Sequence, residues 1–155
     1  MDLARKGVCK LLLVHHSDEE ALLFYRAVGG MIGEFEIVGR AASGGEAIEY
    51  LIGAGRHADR GRHPWPDVVV VAMGLPKESG MAILEWMAGK KDMPEAVIFS
   101  GSEVEGEKKR ALELGAALYQ QKTSEVEVIE RFLRWVKRLW EVEAKQREAK
   151  RAQEF

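Results

Sequence analysis

The sequence predicts a doubly wound α/β fold in which helices cover both faces of a five-stranded parallel sheet. Val68 to Val71 are four consecutive valines, a run too short to span a membrane and unusually β-branched for a helix. The central strand of a parallel sheet is apolar on both faces, as this run is. Short apolar segments alternate with helical patterns five times along the chain, which is typical of a parallel sheet with crossover helices.

The composition is typical of one globular domain. The chain has 155 residues, of which 46% are apolar and 31% charged, and its net charge is -2. A net charge so near zero argues against a general attraction to nucleic acid or to an anionic membrane. Cys9 is the single cysteine, so an internal disulfide is excluded. We find no signal-peptide pattern and no apolar run long enough for a membrane span, and we expect a cytoplasmic protein.

Two strands and two helices are predicted in the first half of the chain. They are a strand over Val8–Val14, a helix from Ser17 to Gly29-Gly30, a strand over Phe35–Ala41 and a helix over Ser43–Ala54. Ser17 followed by Glu20 has the pattern of a capping box, in which each side chain bonds the backbone of the other residue. The segment from Gly55 to Pro66 is predicted to be a loop. We interpret its arginines and histidines as a solvated surface, because the chain is net acidic.

The second half repeats the alternation after the valine strand. The predicted elements are helices over Ser79–Ala88 and Glu103–Leu114, strands over Ala96–Ser100 and Ala116–Gln121, and a last helix from Ser124. The chain from Glu143 onward favours a helix but has almost no apolar face. We therefore expect a domain over residues 1–142 and a polar helical extension over 143–155 that projects or frays.

Ordered landmarks from Lys10 to Leu139 resemble those of a response-regulator receiver domain of two-component signalling. They are Leu11–Val14, Gly45–Leu51, Pro66–Pro76, Gly80, the run Ala111–Ala116 that matches an ALxLGA signature, and Tyr119–Lys122. The long loop before the valine strand is similar to that of single-domain receivers that include phytochrome partners. The resemblance implies a flavodoxin-like three-layer sandwich, here with an extended C-terminal helix. It also implies phosphoryl transfer to an aspartate after the third strand, with Mg²⁺ held by an acidic pair after the first.

The positions that would carry this chemistry hold other residues. Ala72 matches the phospho-acceptor, and His15 and His16 match the acidic pair. Three further residues match the switch-like positions of the family, namely the hydroxyl Ser100, the aromatic Tyr119 and the lysine Lys122. Alanine has no oxygen to phosphorylate, and neutral imidazoles are poor Mg²⁺ ligands. The nucleophile and the metal site are thus lost together.

We therefore interpret the chain as a pseudo-receiver, a degenerate receiver that acts as a phosphorylation-independent protein-interaction module in signal transduction. No cofactor, metal or enzymatic activity is expected. The expected partner is a signalling protein, such as a sensor kinase or its target, bound through the face formed by the fourth helix, fifth strand and fifth helix. Two alternatives stay open: a structural homodimerisation unit, and a metal or pH sensor built on His15 and His16. Ala72 disfavours a conventional phospho-accepting regulator.

The two histidines and Lys122 also have plainer interpretations. Consecutive residues leaving a strand point apart, so one metal ion would not easily take both His15 and His16. We expect them to fill the space left by the missing acids and Mg²⁺. Lys122 is expected to reach solvent or to pair with a nearby acid, namely Asp18, Glu103 or Glu105.

Two apolar stripes run along the last helix. One comprises Val126, Ile129, Leu133, Val136 and Trp140, and the other comprises Val128, Phe132, Trp135, Leu139 and Val142. One stripe suffices to pack the helix on the sheet, so the other would leave large aromatics in water. We therefore predict a homodimer, with candidate contacts at Phe132, Trp135, Leu139 and Trp140. The alternative is that the loop from Gly55 to Pro66 covers the second stripe.

Overall fold

A computed structural model of the chain describes residues 7–72, 80–101 and 105–153. Its centre is one parallel sheet of five strands in the order β2-β1-β3-β4-β5. The strands are β1 Cys9–Val14, β2 Phe35–Ala41, β3 Val68–Ala72, β4 Glu95–Ser100 and β5 Leu118–Gln121. The order changes direction at β1 and β3, which places a topological switch point at the carboxyl ends of these two strands.

Helices cover both faces of this sheet. Within the described residues they are α1 Asp18–Gly29, α2 Gly44–Ile52, α3 Gly80–Met87, α4 Glu105–Glu113 and α5 Val126–Gln153. Helices α1 and α5 share one buried cluster with the sheet, and α2, α3 and α4 share the other. The predicted fold class is confirmed. None of the described helices combines the length and the apolar character that crossing a membrane requires.

Strand β3 is buried along its whole length, between β1 and β4. Val68 and Val70 belong to the cluster under α1 and α5, while Val69 and Val71 belong to the cluster on the opposite face. Successive side chains of a strand point to opposite faces, so every valine of the run is buried whichever way it points. This is the structural reason for the unbroken valine sequence.

The observed bounds are close to the predicted ones. Strand β5 begins at Leu118, later than the predicted Ala116, because the chain first turns out of α4 at Gly115, whose φ is 103°. Ser79 and Glu103, the predicted starts of two helices, lie outside the described residues.

A serine caps each of the two helices of the first half, and the cap at Ser17 was predicted. The Ser17 hydroxyl accepts a hydrogen bond from the Glu20 amide at 3.3 Å, and the Ser43 hydroxyl accepts one from the Glu46 amide at 3.2 Å. The Glu46 carboxylate returns to the backbone before α2, where it accepts from the Ala42 amide at 3.1 Å. The Glu20 carboxylate has a different place, at the carboxyl ends of the strands. Of the capping box predicted at Ser17 and Glu20, only the hydrogen bond to the serine hydroxyl therefore forms.

The loop 55–66 packs on α2, so the expectation of a solvated surface is wrong for part of it. His57 is buried, and its ring centroid lies 5.0 Å from that of Tyr50. The Arg60 guanidinium lies over the Tyr50 ring at 5.6 Å and donates to the Leu51 carbonyl at 3.1 Å. Tyr50 and Leu51 belong to the cluster on the face opposite α5. The loop therefore does not cover the second stripe of α5.

The inner side of α5 is wider than one stripe. Ile129, Leu133 and Val136 are fully buried, as the first stripe predicts. Phe132 is also buried, at 4% exposed, and its ring centroid lies 6.3 Å from that of Phe99 in β4. Phe132, one of the candidate dimer contacts, therefore lies on the buried side of the helix. An apolar face broader than a single row of side chains is common in helices that pack on a sheet.

The outer side of α5 keeps exposed apolar side chains. Trp135 is 57% exposed and Val142 is 51% exposed, while Leu139 is half-buried between them. Trp140 is also half-buried and packs against the cluster under α1 and α5. The outer apolar patch of α5 is thus narrower than predicted, and we define it by Trp135, Leu139 and Val142.

Candidate functional site

The carboxyl ends of the strands bring together residues that are far apart in sequence. Ala72, the last residue of β3, lies opposite Phe99 of β4, and the Lys122 amide donates to the Ser100 carbonyl at 2.6 Å. His15 directly follows β1 on the other side of β3. We call this region the carboxyl edge and define it by His15, Glu20, Ala72, Ser100, Glu107, Tyr119 and Lys122.

Strand β3 ends in a side chain without a polar group. Ala72 is buried and offers a methyl group at the point where the strand meets the carboxyl edge. Residues 73–79, which follow it, lie outside the described residues. The chemistry of the edge therefore depends on the residues that β1, β4, β5 and the helices bring to it.

His15 and His16 point to different environments. His15 is 0% exposed, and its ring centroid lies 5.3 Å from that of Phe24 in α1 and 6.1 Å from that of Phe99. Phe24 and Phe99 contact each other edge to face at 5.0 Å, so the imidazole extends an aromatic cluster of the core. His16 is exposed. This geometry favours the space-filling interpretation for His15. The exposed His16 does not help to fill that space.

One oxygen of Glu20 lies between an imidazole and an ammonium group. Glu20 Oε2 is 3.3 Å from His15 Nδ1 and 3.1 Å from Lys122 Nζ. The Ser17 cap fixes the start of α1 and so holds Glu20, three residues later, over the carboxyl edge. The Lys122 side chain is 22% exposed, which makes this pair a partly buried one.

The described partner of Lys122 is Glu20, which was not among the three predicted acids. Asp18 pairs with Arg40 of β2 instead, at 2.5 Å between its Oδ1 and the guanidinium. Arg40 also donates to the His15 carbonyl at 3.2 Å, so this second pair ties α1 and β1 to the edge strand β2. The side chains of Glu103 and Glu105 are outside the described residues.

The protonation states follow from burial and charge. Burial lowers the pKa of His15 to about 4, and the nearby Glu20 carboxylate opposes that shift only in part. Burial raises the pKa of Glu20, but the hydrogen bond and the charge of Lys122, together with His15, outweigh it and lower the pKa overall. At neutral pH the edge therefore holds a neutral imidazole beside a carboxylate. A histidine with a pKa of about 4 does not switch charge near pH 7.

A second carboxylate accepts hydrogen bonds from the two hydroxyl groups of the edge. Ser100 Oγ donates to Glu107 Oε2 at 3.1 Å, and the Tyr119 hydroxyl donates to the same oxygen at 3.0 Å. Ser100 is buried, whereas Glu107 and Tyr119 are half-buried. Neither the role of Glu20 nor that of Glu107 was apparent in the sequence. Glu20 fits a capping box, and Glu107 is one of several acids in a mostly polar helix.

The edge does not fit a magnesium ion. The Glu20 carboxylate is already engaged with Lys122, and His15 is packed among aromatic rings. Asp67 lies at the opposite end of β3, where it accepts from the Lys10 amide at 2.9 Å. No cluster of three histidine, cysteine or acidic side chains that could hold a metal ion occurs among residues 7–72, 80–101 and 105–153. Magnesium prefers several oxygen ligands in octahedral geometry, and this set of side chains does not supply them.

No protein-family model and no curated protein sequence matches the chain. Solved structures with the same fold do match it. The phosphorylated cyanobacterial phytochrome response regulator RcpA is 22% identical, with a TM-score of 0.72 over 85% of this chain and 93% of its own. The Mn²⁺-bound form of the response regulator Rcp1 is 19% identical, with a TM-score of 0.72 over 85% and 94%.

A third solved structure is the bacteriophytochrome response regulator AtBRR. It is 25% identical, with a TM-score of 0.63 over 82% of this chain and 91% of its own. Each of these neighbours is matched over more than nine tenths of its length, so the likeness extends across the whole sheet and its helices. The chain therefore has the fold of response-regulator receiver domains, as the sequence landmarks indicated.

Proposed function

We propose that this protein is a receiver-like signalling module that works without phosphorylation, by binding a protein partner. The observation that carries the proposal is the state of the carboxyl edge. Strand β3 ends in the methyl group of Ala72, and the ammonium of Lys122 is engaged by Glu20 within the same chain. An edge in this state has neither a nucleophile at that strand end nor an available lysine for an incoming phosphoryl group.

Two of the structural neighbours provide a contrast in phosphorylation and in metal binding. RcpA was solved in a phosphorylated form and Rcp1 in a Mn²⁺-bound form. In the present chain His15 and His16 stand where an acidic pair is expected, one buried among aromatic rings and the other exposed. Loss of the acceptor together with the acidic pair supports a module that has abandoned this chemistry. The same losses support the absence of enzymatic activity.

A protein partner is supported by apolar surface away from the carboxyl edge. Leu112 of α4 is 44% exposed, and the outer apolar patch of α5 contains Trp135 at 57%. Large exposed apolar side chains that form patches are typical of interaction surfaces. The side of the domain that carries α4, β5 and α5 is therefore the proposed binding face. Residues 102–104, before α4, lie outside the described residues.

A second copy of the chain is a candidate occupant of this face. Trp135, Leu139 and Val142 lie on the outer side of one long helix, which two copies could pair. Burial of these side chains on both copies would contribute about 1.5–3 kcal/mol each, before the entropy of association is subtracted. Phe132 is excluded from this interface in the folded monomer because it is part of the core. Trp140 could contribute only its exposed part.

The experiment that tests the proposal is exposure to a small-molecule phosphodonor with Mg²⁺, followed by intact-mass analysis. A receiver domain that carries the acceptor aspartate serves as the positive control for the donor. The wild-type chain should keep its mass. The Ala72→Asp variant should also remain unmodified, because the acidic pair is missing and Lys122 is held by Glu20. A base-labile phosphoryl adduct on the wild-type chain would overturn the proposal.

A further inference from the structure

We propose that Glu107 is a latch that fixes α4 against the carboxyl ends of β4 and β5, and so sets the shape of the binding face. The inference rests on the proposed function only in naming that face as the one a partner would meet. The latch is defined by Glu107, Ser100 and Tyr119. It joins three elements, because these residues belong to α4, β4 and β5 respectively.

The geometry of the latch is specific. Both hydroxyls donate to the same oxygen, Glu107 Oε2, at 3.1 Å from Ser100 Oγ and 3.0 Å from the Tyr119 hydroxyl. Tyr119 pairs with Ile98 in the sheet, so Ser100 and Tyr119 are not direct neighbours across the two strands. The carboxylate therefore connects positions that the sheet itself leaves apart. Hydrogen bonds to an ionised acceptor are stronger than those between neutral groups.

The described side chains of α4 itself bury little apolar surface. Among its described side chains Ala111 is buried, whereas those at Lys108, Lys109, Arg110 and Leu112 are exposed. A methyl group supplies only a small part of the apolar burial that usually docks a helix. The Arg110 guanidinium pairs with Glu85 of α3 at 3.8 Å, but both side chains are more than half exposed, and such pairs contribute little. Among the described residues, the Glu107 bonds are thus the side-chain hydrogen bonds that join α4 to the ends of β4 and β5.

The latch also has a consequence for the strand ends. The Ser100 hydroxyl is buried, and removal of a hydrogen bond from a buried hydroxyl destabilises the folded state. Loss of the Glu107 carboxylate should therefore loosen α4 and the ends of β4 and β5, while β1 and β3 stay unchanged. A partner that competes for Tyr119 would move α4 by the same route.

Hydrogen–deuterium exchange on the full chain tests the latch, without any phosphodonor or partner. Glu107→Ala should speed the exchange of α4 amides about tenfold or more, since it removes two charge-assisted hydrogen bonds from a weakly packed helix. Glu113→Ala is the matched control, because Glu113 is an exposed acid on the same helix. It should leave the exchange of α4 as in the wild type. Alanine favours helices, so neither change weakens α4 through its intrinsic propensity.

The double variant Ser100→Ala with Tyr119→Phe removes the two donors and leaves Glu107 in place. It should reproduce the exchange pattern of Glu107→Ala. The latch is refuted if Glu107→Ala matches Glu113→Ala in α4, or if it speeds exchange equally in β1 and β3. A double variant that leaves α4 as protected as in the wild type would refute it as well. The outcome does not depend on whether the chain accepts phosphate, so failure of the latch and failure of the proposed function are separable.

Discussion

The side chains of the carboxyl edge and those of the outer apolar patch of α5 differ in how far they find partners within the chain. At the edge, Lys122 is paired with Glu20, and Ser100 donates to Glu107, so these groups find partners within the chain, whereas neither ring nitrogen of the buried His15 makes a hydrogen bond to a described residue. On α5, Trp135 and Val142 remain more than half exposed. The difference supports the proposal that the edge is a structural part of the domain and that a partner binds through the helix surface.

The largest expected effect is a difference in stability between substitutions on the two sides of α5. Phe132→Ala should lower the free energy of unfolding by about 3–4 kcal/mol, because it opens a cavity beside Phe99 in the core. Trp135→Ala should change it by less than about 1 kcal/mol in the monomer, because that side chain is mostly in water. Urea unfolding at a low protein concentration measures both. Similar losses for the two variants would contradict the assignment of inner and outer sides.

The carboxyl edge should make the domain sensitive to acid. The pKa of His15 is lowered to about 4 in the folded chain, whereas the unfolded chain has the ordinary value of 6.5. Between these two pH values the unfolded state binds more protons than the folded state. The contribution of the buried neutral His15 to stability is therefore complete above pH 6.5 and is lost as the pH falls towards 4. The loss should be on the order of 2–3 kcal/mol.

Comparison of variants isolates that contribution from the titration of carboxylates. Urea unfolding between pH 4 and pH 7 should show a smaller loss for His15→Leu than for the wild type. His16→Leu, which changes an exposed histidine, should follow the wild-type curve. A His15→Leu variant with the wild-type dependence on pH would contradict the burial of a neutral imidazole.

The outer apolar patch should support self-association. Trp135→Ala should weaken the proposed homodimer about tenfold or more, since it removes the largest exposed side chain of the patch. Sedimentation equilibrium at micromolar concentration measures this effect. Glu141→Ala, at an exposed position on a different side of the same helix, is the control. A wild-type chain that is monomeric under these conditions would refute the homodimer and leave the patch for a different protein partner.

The pair between Glu20 and Lys122 should give the smallest effect. Glu20→Gln should lower stability by about 1 kcal/mol at pH 7, because the carboxylate is 33% exposed and solvent screens part of the attraction. Glu19→Gln, at an exposed acid on the same helix, should change it by less than about 0.5 kcal/mol. Thermal unfolding of the two variants side by side measures the difference. Equal losses would show that Glu20 acts only through its charge at the start of α1.

The elements of the fold could be predicted because each leaves a local pattern. The valine run marks β3, and the serines at positions 17 and 43 mark the starts of α1 and α2. The lost positions at His15, His16 and Ala72 could be found because the resemblance assigns a place to each. Their roles at those places remain part of the proposal.

The internal pairs could not be predicted in this way. Glu20 and Lys122 are far apart in sequence, and the pattern around Glu20 favours a helix cap. Glu107 meets Ser100 and Tyr119 only because α4 lies over the ends of two strands. The burial of Phe132 could not be predicted because helical spacing gives the direction of a side chain but not the width of the buried face.

The most direct test of the central claim is an amide NMR spectrum recorded before and after addition of Mg²⁺ and beryllofluoride, a mimic of the phosphoryl group. A chain whose β3 ends in Ala72, and whose Lys122 is held by Glu20, should show no shifts at Ser100, Tyr119 or Lys122. Saturable shifts at these three residues would show that the carboxyl edge still binds the phosphoryl mimic, and would contradict phosphorylation-independent signalling.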